Sequence, residues 1–228
     1  MTRIVVFGAG GRAGRAVTAE ALRRGFGVTA VVRDPLRHAA LGERAEVRLV
    51  RGDITDAASV AGTARGAVAA VHAVSPMTET EAATAGFTRL DPAFFARTAD
   101  ALCEGLAAAG VDRLLTLGLF ALLRTADGGY VRDRADLFPP AYLPFARAHQ
   151  AGLDRFAERG GHTPDWVQFV PPAHLDPEAP ARGTYRVGPA ARAPEDPAGR
   201  LAYADLALAL LDEVERPAYH RQAVAVTG

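Results

Sequence analysis

The chain contains no lysine and no asparagine; all 26 of its basic residues are arginines. Any mechanism that needs a lysine ammonium is therefore excluded. Only one cysteine is present, Cys103, which rules out an internal disulfide and agrees with a reducing compartment. Its place in a helical stripe reads as core packing. Long apolar runs are missing as well. The longest, Leu114 to Leu123, is about half of what a membrane crossing needs, and the opening "MTRIVVFG" lacks the segments of a secretory signal. A cytoplasmic protein with no membrane partner is expected. Nor is there an excess of charge: 26 basic and 26 acidic residues cancel, which removes the electrostatic reason to expect nucleic acid as a partner. His174 and Asp176 stand without further ligands at useful spacing, so no metal site is expected. No serine, histidine and acid are grouped in a hydrolase context.

What the chain does have is an alternation of strand-like and helix-like segments across 228 residues that are 49% hydrophobic, enough for a single domain over 1–228. Arg3 to Phe7 reads as a strand, followed by a glycine-rich turn and a helix with Ala13, Val17 and Ala21 on one face, closing near Gly25. Val28 to Val32 has almost no polar alternation, as expected when helices cover both faces of a parallel sheet. Strand and helix candidates then continue at Val47 to Val50, Ala57 to Ala64, Ala67 to Val74, Pro92 to Ala109, Arg113 to Leu117, Ala141 to Arg159 and Trp166 to Val170. The series predicts an α/β fold, a Rossmann-like doubly wound parallel sheet with its core in 1–165. Residues 171–200 read as proline-rich loops with one short strand near Thr184 to Val187. A helix carrying Tyr203, Leu206, Leu210 and Val214 and a strand near Ala223 to Val226 close the chain. Residues 166–228 are thus read as a small C-terminal substrate-side lobe.

The stretch "VVFGAGGRAGR" holds Gly8, Gly10, Gly11 and Gly14 between the first strand and the first helix. Glycines there allow a tight turn and close backbone approach to a pyrophosphate, with Arg12 and Ala13 opening the helix. A glycine-rich helix start with no ligand is the plain alternative. Arg12 and Arg15 lie at the positive end of the helix dipole, which disfavours cations; an anion there reverses that cost, unless both arginines point to solvent. Directly off the second strand come Arg33 and Asp34. Asp34 precedes Pro35 and suits a helix N-cap, whereas Arg33 has no such structural role and with Arg12 can bracket a 2′-phosphate. NADP(H) is thereby favoured over NAD. Asp53 in "RGDITD" either reaches the adenine or stabilises its own turn.

These residues, with "VVRDP", "DWVQFVPPAHLDPEAPARGTYRVG" and "LAYADLALALLDEVERPAYHRQAVAV", resemble the atypical short-chain dehydrogenases, in the branch of NmrA-like, biliverdin-reductase-B-like and flavin-reductase-like proteins. The resemblance covers nearly the whole chain. It implies a Rossmann core, bound NADP(H), and a cleft lined near Val74 to Met77, after Leu117, and from Pro171 to Tyr185. It implies flavin or quinone reduction, or nucleotide binding without turnover. The sequence departs from the family after the fifth strand, where "LGLFALL" replaces a glycine-rich turn with serine. It departs again at Tyr142, where Ala146 stands in the place of the lysine four residues on.

Reduction requires that the protein orient an acceptor and supply a proton. Tyr142 and His149, seven apart, share a helix face. His149 either gives a proton near neutral pH or packs between Phe145 and Leu153. Ser75 either contacts the nicotinamide ribose or starts a turn with Pro76, and His72 reads as structural. An apolar cleft around "LGLFALL", Phe94 and Trp166 suits a small aromatic, quinone-like or flavin acceptor. The competing readings are a non-catalytic sensor and a non-redox dehydratase, epimerase or cyclase. A small-molecule substrate and a monomer or homodimer are expected.

Overall fold

The computed structural model describes residues 1–77, 87, 89–159, 164–190 and 199–228. Its elements run β1 (Arg3–Phe7), α1 (Arg12–Arg23), β2 (Gly27–Val32), β3 (Val47–Arg51), α2 (Ala57–Ala64), β4 (Ala69–His72), α3 (Phe94–Ala109) and β5 (Arg113–Leu117). There follow α4 (Leu143–Glu158), β6 (Asp165–Val170), β7 (His174–Asp176), β8 (Arg186–Pro189), β9 (Arg200–Ala202), α5 (Tyr203–Glu215) and β10 (Gln222–Thr227). Eight strands form one sheet in the order β3-β2-β1-β4-β5-β6-β10-β8. Every pairing is parallel except that of β10 with the edge strand β8. This is the doubly wound Rossmann-like architecture, and the order reverses at β1, where β2 lies on one side and β4 on the other.

Both faces of the sheet are covered, which is why the strands read as unbroken apolar runs; all six residues of β2 are buried. On one face Ile4, Val28 and Leu115 pack against Val17 of α1 and Leu206 and Leu210 of α5. On the other, Val5, Ala70 and Leu114 pack against Val60 of α2, Leu102 and Leu106 of α3 and Phe156 of α4. Cys103 belongs to this second layer, and burial pushes its thiol up to about 11, so it acts as an inert core residue.

At the amino end of the sheet, β5 and β6 are closed by ions. The Arg113 guanidinium is bonded to Glu213 of α5, to Asp165 at 2.5 Å and to the Tyr219 carbonyl at 3.1 Å. Glu213 also accepts the N–H groups of Ala218 and Tyr219, each at 2.8 Å, and His220 Nδ1 lies 2.7 Å from Asp165.

Three features differ from the reading of the sequence. The segment after Asp34 forms a 3₁₀ turn over Pro35–Glu43, broken at His38, instead of an α-helix. The two three-residue strands β7 and β9 pair in a separate parallel sheet, within the C-terminal loops; strands this short carry too few residues for alternation to show. The strand expected near Thr184 to Val187 lies at Arg186–Pro189. The loop reading of 191–198 lies outside the described residues.

Candidate functional site

The glycine turn after β1 stands at the reversal point of the sheet, where the carboxyl ends of β1 and β4 leave a crevice. Gly8 has φ +82° and donates its N–H to Val31 O at 3.0 Å, while Gly11 N–H donates back to Gly8 O at 3.0 Å. A Cβ on Gly8 would stand 2.7 Å from Ala73 O, and one on Gly14 only 2.1 Å from Gly8 O. The turn thus lies as close to α1 and to the β4 loop as bare backbone allows. Helix α1 begins at Gly11 with no side chain capping it and no acidic residue in its first turn. Its leading N–H groups and the positive end of its dipole lie at the crevice mouth. Arg15 Nε donates to Gly10 O at 3.0 Å, folding that arginine over the turn. Such a cradle fits a pyrophosphate.

At the end of β2, Asp34 is occupied as foreseen for an N-cap: Oδ1 accepts Leu36 N–H at 3.1 Å and Oδ2 lies 3.4 Å from Arg37 Nε. Arg33 is exposed beside it. Asp53 takes the Thr55 N–H at 2.9 Å and the Thr55 hydroxyl at 2.7 Å. Those two bonds, with a smaller contribution from the Arg33 charge, hold its carboxyl below the usual range. Asp53 therefore stabilises its turn and does so within the field of Arg33. Sequence reasoning missed His38, whose ring lies against Gly10, with Nε2 2.4 Å from where a Cβ would be; the break in the 3₁₀ turn that brings it there has no sequence signal.

On the other side of the crevice, the Val74 side chain lies 3.0 Å from the position of a Cβ on Gly8, and Val74 N–H donates to His72 Nδ1 at 3.3 Å. Ser75 Oγ donates to Met77 O at 2.7 Å and so holds its own turn. Tyr142, 41% exposed at the start of α4, stands edge-on to Phe87 with ring centroids 5.2 Å apart. His149, two turns further on, is buried, its ring 3.8 Å from Phe95 and 4.7 Å from Phe145. Burial, and then the nearby His72, push its pKa down to about 3. The imidazole is therefore neutral at pH 7; of the two readings its helix spacing allowed, its position is the packed one, against Phe145 and under Phe95 of α3.

Two expected cleft walls are elsewhere. Phe120, Ala121 and Leu123 of "LGLFALL" are buried in a third apolar cluster with Val131, Phe138, Ala146, Val170 and Ala225. Trp166 stacks on Phe156 near the amino end of β6, 5.7 Å between centroids. A surface cavity of about 300 Å³ opens instead beside α4, between Arg132, Phe138, Leu143 and Arg147.

The C-terminal loops are tied down by α5. Asp205 accepts the N–H of Arg182 at 3.0 Å and that of Gly183 at 2.9 Å. Tyr185 donates its hydroxyl to Asp212 at 2.6 Å, and Asp212 is paired at 2.8 Å with Arg24, itself paired at 2.7 Å with Glu20 of α1.

One group was not foreseen at all. Parallel register places His72 of β4, Thr116 of β5 and Gln168 of β6 side by side in one row. The three are buried, and Thr116 Oγ1 and Gln168 Oε1 have no hydrogen-bond partner among the described residues. The signal was present only as polar residues inside apolar runs.

Among the described residues no three His, Cys, Asp or Glu side chains are grouped to hold a metal ion, and no helix is long and apolar enough to cross a membrane. In comparisons with known proteins, the model of a family described as NAD(P)H-binding matches residues 8–217. A candidate exported protein of Burkholderia pseudomallei is 30% identical, with a TM-score of 0.81 and complete coverage of both chains. A candidate epimerase of Bacteroides thetaiotaomicron is 28% identical, with a TM-score of 0.81 over 99% of this chain and 96% of its own. A candidate NADH-flavin reductase of Streptococcus pneumoniae, 21% identical, shares the fold with a TM-score of 0.76 over 100% of this chain and 99% of its own. With its glycine cradle at the β1–β4 reversal and a match spanning most of its length, the chain belongs to the NAD(P)H-binding family, of the atypical short-chain dehydrogenase kind.

Proposed function

We propose that the protein is an NADPH-dependent oxidoreductase that reduces a small aromatic, quinone-like or flavin acceptor. Gly8, Gly10, Gly11, Ala13 and Gly14 would hold the pyrophosphate through backbone N–H groups, as the cradle described above allows. The observation that carries the choice of NADP over NAD is at the end of β2. Asp34, the carboxylate that would bind an unphosphorylated ribose, is taken up by Leu36 N–H and Arg37, whereas Arg33 stands exposed next to it. Arg33 and Arg12 would receive the 2′-phosphate, with the Asp53 turn supporting Arg33. Val74 and Ser75 would bound the nicotinamide side.

When bound, the reduced nicotinamide would supply hydride. The chain's own residues orient the acceptor and provide the proton. Tyr142, exposed at the start of α4, would contact the acceptor; Ala146 leaves it without the usual cation. His149 contributes from below as a neutral imidazole. The name of the Streptococcus protein accords with this chemistry. A second reading, nucleotide binding without turnover, is favoured by the burial of Phe120, Ala121 and Leu123 in an apolar cluster, where the family resemblance implies a serine-bearing turn.

Thermal stabilisation by NADPH and NADH, followed by loss of nicotinamide absorbance with quinones and flavins, tests both. The expected result is stronger stabilisation by NADPH, weakened selectively in Arg33→Ala, and turnover of at least one acceptor. Preference for NADH would overturn the cofactor choice, and stabilisation with no turnover across the panel would establish the second reading.

A further inference from the structure

The row His72, Thr116 and Gln168 does not fit a layer built for packing. Thr116 is hydrogen-bonded in register between His72 on β4 and Gln168 on β6, and all three side chains enter the layer between the sheet and helices α3 and α4. Facing them from α4 is His149. Together they line a cavity of about 10 Å³, roughly the room that one water requires. The rest of its wall is apolar: Phe95 of α3, Leu117 of β5, and Gly152, Leu153 and Phe156 of α4. Among the described residues that line it, the two histidines are the titratable groups, and no carboxylate or guanidinium faces them.

Leaving Thr116 Oγ1 and Gln168 Oε1 buried without partners would cost about 1–3 kcal/mol each, a penalty that native interiors meet with ordered water. A water here has two such groups and two imidazole rings as neighbours, which matches the usual two to four partners of a buried water. Gly118 makes the space: a Cβ there would stand 2.9 Å from Gln168 Oε1. The cell also reaches the crevice. His72 is the last residue of β4, and its Nδ1 is fixed by the N–H of Val74, which orients the other ring nitrogen away from that loop. Leu117, which lines the cavity, is likewise the last residue of its strand, at the carboxyl end of β5.

We infer that His72, Thr116, Gln168 and His149 enclose an internal water and form with it a proton relay beneath the cleft, the protein's replacement for the lysine it lacks. This rests on the reductase reading above. Neutral imidazole is suited to such a relay, because it can release the proton of one ring nitrogen while the other nitrogen takes one from the water, so that no buried cation persists. The balance is one proton from solvent, through the water and His149, to the acceptor that has received hydride; the electron pair comes with the hydride.

The test compares the wild-type protein with Thr116→Val/Gln168→Leu, using crystals that diffract far enough to show ordered water. Thr116→Ser, which keeps a hydroxyl, serves as the conservative control. Wild type and Thr116→Ser should show density for one water within hydrogen-bond reach of residue 116, Gln168 and an imidazole nitrogen, and the double variant should show none. All three should be stabilised equally by NADPH, while the double variant turns over a quinone roughly tenfold or more slowly and Thr116→Ser does not. A dry cavity in the wild type overturns the inference, as does equal turnover in the double variant. Should NADPH stabilise none of them, the reductase reading falls by itself, and the density still decides whether the water is there.

Discussion

Strands β5 and β6 bury polar groups at both ends, on opposite faces of the sheet, and the two clusters are satisfied in opposite ways. At the amino end, Arg113 meets Asp165 and Glu213, and each charge is answered by another charge or by backbone N–H and C=O groups, with Arg113 Nε alone left over. At the carboxyl end, three residues further along each strand, Thr116 and Gln168 are more deeply buried and leave polar atoms without a protein partner among the described residues. The first arrangement is what a fold needs when it takes a charge out of water. The second gives the fold nothing within the chain and sits directly under the crevice. Two adjacent groups left without any protein partner, beside a cluster in which each group has at least two, mark the end at which a solvent molecule can complete the structure.

The contrast can be broken most strongly at the amino end. Arg113→Met should destabilise the protein by about 3–5 kcal/mol, because it strands the buried Glu213 without its cation; urea unfolding measures this, and a loss under about 1 kcal/mol would show that the cluster is not a sealed one. The folded fraction should still be stabilised by NADPH.

Next in size is the response to acid. Burial pushes His72 down to about 4 and His149 to about 3, against an unfolded value of about 6.5. Between these limits the unfolded chain binds protons that the native chain refuses, so stability is full above pH 6.5 and falls as the pH drops toward 4 and then 3. The slope should be about 1.4 kcal/mol per pH unit for each histidine. Urea unfolding of the apo protein at pH 7.5, 6 and 5 should show it, and His149→Phe should flatten the slope in that window by about half. A slope unchanged in this variant would mean that His149 is not held neutral by the fold.

The smallest effect belongs to Thr116→Val alone. No protein hydrogen bond is lost, so stability should move by at most about 1 kcal/mol. A loss of several kcal/mol would show that Thr116 has a protein partner and is no different in kind from Arg113.

These two clusters also show what a sequence does and does not disclose. The alternation of strand and helix was legible because parallel strands covered on both faces read as apolar runs, and Arg3 to Phe7 or Arg113 to Leu117 could be bounded to the residue. The glycine cradle was legible because its residues are neighbours in the chain. The relay was not, since His72, Thr116 and Gln168 come from three distant segments and meet only through register. His149 was seen as one of two things, and what buries it is Phe95, on another helix. The 3₁₀ turn that carries His38 to Gly10 likewise depends on a local break at which propensity is silent.

The chain of contacts from Tyr185 through Asp212 and Arg24 to Glu20 has a bearing on redesign. It anchors the loop before β8 to helix α1, whose first turn follows the glycine cradle, so on the proposed reading the two halves of the crevice would share one foundation. Grafting a relative's loop into this scaffold to change its acceptor would cut that foundation unless α1 and α5 travelled with it. The transferable module is the loop together with its two helices.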